Sequence, residues 1–317
     1  MRRAKLAEPN ISAQLVAILG LAFWFAAAHA ATPSTKLSSV GSDTLGGVMT
    51  SLARVFNQQY PDVVMQVQAN GSSTAPPALQ EGTASLGPMS RRMSQAEKLR
   101  FRQERGYDVT EVVIGVDAVA VFVHWQNPLR QLSLPQVDAI FSATRRCGRN
   151  KAIHDWSELG PEIDTAEQKI TTFGRNSASG TYNYFRQVAL CGGDFSRNVA
   201  EQPGSSSVVQ SVGGSVRGIG YSGVGYQSPL VKILAISADQ NSTAFLPEPS
   251  ASLSGDYPLA RPLYLYVNQT ATEPLAGAER DFVDLVLSDQ GQEIIKRSGF
   301  IPLPNDVRVQ IRANVGL

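Results

Sequence analysis

Histidine and cysteine are almost missing from this chain. Of 317 residues three are histidines and two are cysteines, and neither a CxxC nor an HExxH pattern occurs, so no zinc site is expected. GxSxG and GxxxxGK[ST] are absent too, which leaves no nucleophile elbow and no phosphate-cradling P-loop. Charge is scarce: 17% of residues are charged, against about a quarter in an average soluble domain. The formal net charge is +1, and with Arg2, Arg3, Lys5 and Glu8 set aside it turns slightly negative. No basic field for nucleic acid exists, and a general nucleic-acid binder is excluded. Long hydrophobic runs are lacking as well. The stretch from Leu15 to Ala28 falls short of the ~20 residues that span a bilayer, and nothing later reaches that length.

What is present at the start is a secretory signal peptide pattern over residues 1–30. Arg2, Arg3 and Lys5 precede the apolar run, and small residues at Ala28 and Ala30 flank His29. Cleavage near Ala30 is expected, and with no cysteine there to accept a lipid the mature protein is expected to be soluble, periplasmic and free of stable membrane insertion. Hydrophobic residues make up 43% of the chain, enough for a sizeable core. The roughly 287 residues left after cleavage suit two ordinary domains. Cys147 and Cys191 either pair in an oxidising compartment or stand as two unrelated buried thiols; export favours a disulfide.

Along the chain, Lys36–Val40 reads as a strand leading into Gly41-Ser42-Asp43-Thr44. Leu45, Val48, Met49, Leu52, Val55 and Phe56 then fall on one helical face that ends before Pro61. Val63–Gln68 alternates as a strand, Gly71-Ser72-Ser73-Thr74 follows, and a second helix runs to Gly82. After a short segment at Leu86 and Ser90-Arg91-Arg92 comes a charged helix. This βα order predicts a mostly parallel sheet. Glu111–His124 is a β-branched run able to carry the chain into a second α/β lobe, Leu263–Val267 can return it, and Glu279–Ser298 is predicted as one helix. The expected organisation is residues 31–117 and 268–317 in lobe I and 118–267 in lobe II.

Three turns share a property: Ser42–Leu45, Gly71–Thr74 and Ser177–Thr181 each place hydroxyls and backbone N–H groups at a helix start, where unpaired donors and the helix dipole attract anions. One such turn is an ordinary cap. Three of them over two lobes, with Arg175 four residues before Ser179, point to an oxyanion site, because a guanidinium presents a fork of donors to a tetrahedral anion. Gly218–Gly223 satisfies GxGxxG, but no helix pattern follows and no acid lies about 20 residues on, so it reads as a glycine-rich strand rather than a dinucleotide loop. His124 reads as a strand-end residue and His154 as a surface residue beside Asp155.

The ordered series GSDTL (41–45), NGSST (70–74), PMSR (88–91), GVDAVAVFV (115–123), NPLRQLSLPQVDAIFS (127–142), GRNSASGTYNYF (174–185) and IGYSGVGY (219–226) resembles the periplasmic phosphate-binding proteins of bacterial phosphate ABC transporters. The resemblance covers essentially the whole mature chain. It implies a two-lobed type II periplasmic-binding fold that closes on one phosphate, with no cofactor and with a membrane permease as partner. The family's ligand residues fall on Thr44, the N–H of Leu45, Ser72, Arg175, Ser179, Gly180 and Thr181. Two departures stand out. Ser90, followed by Arg91, occupies the place of an acid that accepts the phosphate proton, and Ser177 the place of an acid two residues after the arginine. Ser90 and Arg91 are therefore expected site residues of altered character, and sulfate or another tetrahedral oxyanion is an alternative ligand, since a carboxylate that would repel a fully deprotonated anion is missing. An exported sensor or adhesive protein is the alternative role. An enzyme is not expected, for want of a base, metal cluster or nucleophile.

Overall fold

The computed structural model describes residues 35–160 and 169–317; the expected signal peptide lies outside the described residues. The first strand, β1 (Thr35–Val40), runs into α1 (Gly46–Gln59), whose buried Val48, Met49, Leu52, Ala53 and Phe56 form the apolar face read from the sequence. Then follow β2 (Val63–Gln68), α2 (Ala75–Gln80), β3 (Leu86–Met89) and α3 (Gln95–Arg105). The last of these helices is fixed by a capping box between Ser94 and Glu97 and stopped by Gly106. The strands β1, β2 and β3 are parallel neighbours.

The 16-residue strand β4 (Val109–His124) leaves this lobe and enters the next. There follow β5 (Gln131–Ser133), α4 (Leu134–Phe141), β6 (Thr171–Arg175), α5 (Gly180–Val188), β7 (Ala200–Gln202), α6 (Ser205–Gly213) and β8 (Gly218–Gly223). Two short strands follow, β9 (Val231–Ile233), which pairs with β4, and β10 (Ala235–Ser237), which pairs with β5. After α7 (Pro249–Ser254), β11 (Ala260–Thr270) returns the chain, and α8 (Gly277–Leu287), α9 (Asp289–Arg297) and α10 (Asn305–Asn314) complete it.

The main sheet runs β2-β1-β3-β11-β4-β8-β6-β7. It is mixed rather than mostly parallel. The outer pairs are parallel, but β11 is antiparallel to both β3 and β4, and β4 to β8, because the two crossing strands must run in opposite senses to leave one lobe and re-enter it. Pairing of β11 with β4 runs from Ala260 opposite Ala118 to Thr270 opposite Val109. The single helix expected over Glu279–Ser298 is broken at Ser288. This residue is extended and its hydroxyl accepts from the N–H of Gly291 while donating to Leu285 O.

Each lobe buries its own core. Leu37, Met49, Leu52, Phe56, Leu265, Phe282 and Val286 fill one face of the first sheet half; Val121, Phe141, Trp156, Phe185, Tyr221 and Ile236 fill the second lobe. The GxGxxG segment is β8 itself, buried throughout, as a glycine-rich strand should be.

Candidate functional site

The residues that end β1 and open α1 stand in the crease between the lobes. Helix α1 carries no side-chain cap, and Leu45 occupies its N-cap position, so the first N–H groups of the helix are not consumed by a neighbouring hydroxyl. Thr44 beside it is buried, and its Oγ1 lies 3.0 Å from Thr181 Oγ1 at the start of α5, in the opposite lobe.

Ser72 opens the second turn, just after Gly71, whose φ of +111° suits glycine and whose added Cβ would stand 2.6 Å from Ala178 O. Across the same gap Ser73 N–H donates to Ala178 O at 3.0 Å. Ser72 Oγ accepts from Ser90 N–H at 3.0 Å and lies 3.2 Å from Ser90 Oγ. Gly180 faces these two hydroxyls so closely that a Cβ there would come within 2.3 Å of Ser72 Oγ and 2.6 Å of Ser90 Oγ. The lobes are thus in contact through the expected residues, in a closed arrangement.

Ser179 is the N-cap of α5, its hydroxyl oxygen accepting from the N–H groups of Thr181 and Tyr182. With its acceptor capacity engaged by two fixed donors, what Ser179 has left to offer is its proton, whereas Ser72 accepts one N–H and shares a contact with Ser90 Oγ in which either hydroxyl can donate.

Arg175 ends β6 with its side chain 1% exposed. Nη1 donates to Ser205 Oγ at 2.6 Å and Nη2 to Pro203 O at 3.1 Å, and Nη2 also lies 3.1 Å from Asp43 Oδ2. Its backbone N–H donates to Tyr221 Oη, and Nε is buried without a partner. Burial pulls the guanidinium below its ordinary pKa, and Asp43 pulls the other way.

Asp43 was not anticipated. Its Oδ2 accepts from the N–H and the hydroxyl of Ser205 as well, so a carboxylate of the first lobe meets the arginine and a helix start of the second. The acid lacking at Ser177, which is exposed, has a counterpart in sequence one residue before Thr44. A buried pair was also missed: Arg261 Nε and Nη2 donate to Asp117 Oδ2 at 3.0 and 2.7 Å, and Nη2 reaches Thr181 Oγ1 at 2.8 Å. The signal for it was an arginine and an aspartate each set inside an apolar strand.

Arg91 is the expected site residue that the structure does not bring into this group. Its guanidinium makes a two-pronged contact with Glu97 at 2.7 and 2.8 Å. It lines an opening at the rim with Arg92, Ser94, Asn183, Tyr184 and Arg186. The reason is local: the capping box of α3 holds Glu97 where it captures the arginine. Among the described residues no group of three or more His, Cys, Asp or Glu side chains could hold a metal ion, and no helix is long and apolar enough to cross a membrane.

Cys147 and Cys191 form a disulfide with a Cα–Cα distance of 5.4 Å. It ties the loop after α4 to the end of α5, the helix that carries Thr181.

A PBP superfamily domain matches residues 26–290. The chain is 51% identical over 284 residues to the phosphate-binding protein PstS of Pseudomonas aeruginosa, covering 90% of this chain and 88% of that protein. It is 27% identical over 285 residues to PstS of Bacillus subtilis, covering 89% and 85%. Among solved structures, a phosphate-bound crystal structure from Clostridium perfringens superimposes with a TM-score of 0.71 at 26% identity, over 85% of this chain and 100% of that one. An ABC-type phosphate transport receptor from Vibrio cholerae shares the fold with a TM-score of 0.66 at 21% identity, over 84% of this chain and 100% of that one.

Proposed function

Because this chain belongs to the PBP superfamily, and within it to the PstS family of phosphate-binding proteins, we propose that it captures inorganic phosphate between its two lobes and delivers it to the permease of an ABC transporter. The observation that carries this reading is the donor character of the cleft. Hydroxyls from both lobes gather in the crease, Ser179 with its oxygen engaged by two fixed N–H groups and its proton left for a ligand, and a buried arginine supplies positive charge beside them. Closing the cleft strips water from an oxyanion, a cost met only by several donors and a fixed cation together. Thr44, Leu45 N–H, Ser72, Ser90, Arg175, Ser179, Gly180 N–H and Thr181 are the proposed ligand set, and Arg91 is left out of it.

The protein acts as a receptor and not as an enzyme. Ligand favours the closed form by binding it more tightly than the open one, and the closed surface is what the permease reads. Export with cleavage near Ala30 would place it in the periplasm, and the mass of the secreted protein checks the cleavage point. Ser90 and Ser177 keep sulfate in view as a competitor, but Asp43 returns a carboxylate to the crease. Calorimetric titration with phosphate, arsenate and sulfate tests the reading: phosphate and arsenate bind and sulfate binds more weakly. Tighter binding of sulfate would replace phosphate as the ligand, and steady release of product from phosphate esters would overturn the receptor role.

A further inference from the structure

Arg261 and Asp117 are register partners on the two strands that cross between the lobes, β11 and β4. They are 2% and 0% exposed. An ion pair in that position has an ordinary use, bracing the crossing, and one proton of Arg261 goes beyond it. While Nε and Nη2 both contact Asp117, Nη2 also lies 2.8 Å from the hydroxyl of Thr181.

We infer that Arg261 is a positioning residue that fixes the direction of the Thr181 hydroxyl and so makes it a donor to the bound oxyanion; this rests on the phosphate-binding reading above. A guanidinium has only donors, so at this contact Thr181 Oγ1 must accept. A hydroxyl carries one proton, and Thr44 Oγ1 lies 3.0 Å away across the crease. With its oxygen accepting from Arg261, the one proton of Thr181 is free for the crease side, where Thr44 Oγ1 or an entering oxyanion can accept it. Without Arg261 the hydroxyl could rotate and either give or take a hydrogen bond. With it, the rotor is set before ligand arrives, and the O–H is polarised by a charge-assisted contact to its own oxygen.

The geometry that holds Arg261 supports this assignment. Its guanidinium carbon lies 5.2 Å from the centroid of the Tyr184 ring, and Tyr184 Oη donates to Ala260 O at 2.7 Å. Helix α5, which begins at Gly180, is thereby docked on the crossing strand in the register that brings Thr181 to Arg261. Burial pushes the Tyr184 phenol up to about 12, so it remains a donor at any physiological pH. Arg261 Nη1 is buried without a partner, so the charge is not wholly spent on Asp117.

A double-mutant cycle read by phosphate titration separates this role from plain bracing. Arg261→Lys keeps a cation for Asp117 but cannot span both contacts, and phosphate affinity should fall roughly tenfold, the scale of one hydrogen bond to a charged group. In a Thr181→Val background the same Arg261→Lys change should alter affinity less than about twofold, and in Thr181→Ser, which keeps the hydroxyl, the tenfold effect should return. Should Arg261→Lys fail to fold, Arg261→Met with Asp117→Leu removes both charges together and enters the same cycle. An undiminished loss in the Thr181→Val background would overturn the inference and leave Arg261 a brace alone. A parent protein that does not bind phosphate would instead overturn the functional reading, and this inference with it.

Discussion

In the first lobe, the strands that present Thr44, Ser72 and Ser90 are flanked by ion pairs on the outer surface: Arg91 with Glu97, Arg92 and Lys98 with Glu111, Arg102 with Asp108. In the second, the strand that presents Arg175 rests on a stack of rings. Phe185 and Tyr221 stack with centroids 3.8 Å apart and planes nearly parallel, Phe141 meets both edge-on, and Tyr221 Oη accepts from the backbone N–H of Arg175. The disulfide clamps the far end of α5 in the same lobe. Partly exposed ion pairs each contribute little, about 0–1 kcal/mol, whereas buried rings and a covalent link restrict motion. The first lobe packs rings of its own at Phe56, Tyr60 and Phe282, so what sets apart the lobe that keeps a charge out of water is the covalent link added to its rings.

The largest effect should follow from removing that charge. Arg175→Ala is expected to weaken phosphate binding by about 3–5 kcal/mol, a hundredfold or more, while Ser72→Ala in the first lobe should cost around 1 kcal/mol. Calorimetry on the two variants compares the lobes directly, and equal losses would erase the contrast.

Opening the disulfide comes next. A cross-link with a sequence separation of 44 stabilises by about 4 kcal/mol in the chain-entropy model. Cys147→Ser with Cys191→Ser should therefore lower the melting temperature by roughly 10 °C, with hydrogen-exchange protection lost in the second lobe and retained in the first.

Asp43→Asn tests the contact that joins the lobes. Asparagine can still accept from Ser205 but does not balance Arg175, so affinity should fall only several-fold, about 1 kcal/mol, and small-angle scattering of the ligand-free protein should show a more open particle. A variant as closed as the parent would mean that the carboxylate does not hold the lobes together.

The smallest effect is a difference of sign in acid. Burial pushes Glu97 up, but hydrogen bonds from Arg91 and Ser94 outweigh it and hold the carboxyl below its ordinary 4.5. Its stabilisation is complete above that value and is lost as pH falls toward and through the lowered pKa. Asp138, in the second lobe, is pushed above its ordinary 3.8 by burial, against the N–H of Cys147. The folded form binds that proton more tightly, so its contribution improves as pH falls through the raised pKa. Denaturant titrations should show Glu97→Gln less stable than the parent near neutrality and Asp138→Asn more stable, each by under about 1 kcal/mol, with both differences fading in acid.

Much of the candidate site could be proposed from the chain because its parts are local. A strand, a small polar turn and a helix start lie within a few residues of each other at Thr44, at Ser72 and at Ser179, and their residue types follow from backbone needs. The contacts that tune the site are not local. Asp43 meets Ser205 across 162 positions, which only the closed lobes bring together, and Arg261 meets Asp117 across 144, which only the pairing of β11 with β4 brings together. Arg91 shows the opposite case: its neighbour in sequence, Ser90, is in the group, and Glu97 six positions on takes the guanidinium. The helix expected through Ser288 shows a third limit, since an apolar periodicity that runs through a residue does not reveal that its hydroxyl caps a new start.

The place of β11 in the sheet has a consequence for how the chain comes to be assembled. It lies between β3 and β4, although about 135 residues separate the end of β4 from its own start. Until the last quarter of the chain arrives, β3 and the first half of β4 have no strand between them and present bare backbone edges. Those edges are the kind that invite pairing with other chains. The second lobe is continuous in sequence and can settle early; the first is completed only when a late strand slides between two early ones. Any chain passing through a membrane pore from its N-terminus would therefore finish the arginine-bearing half of its crease before the half that holds Thr44, Ser72 and Ser90.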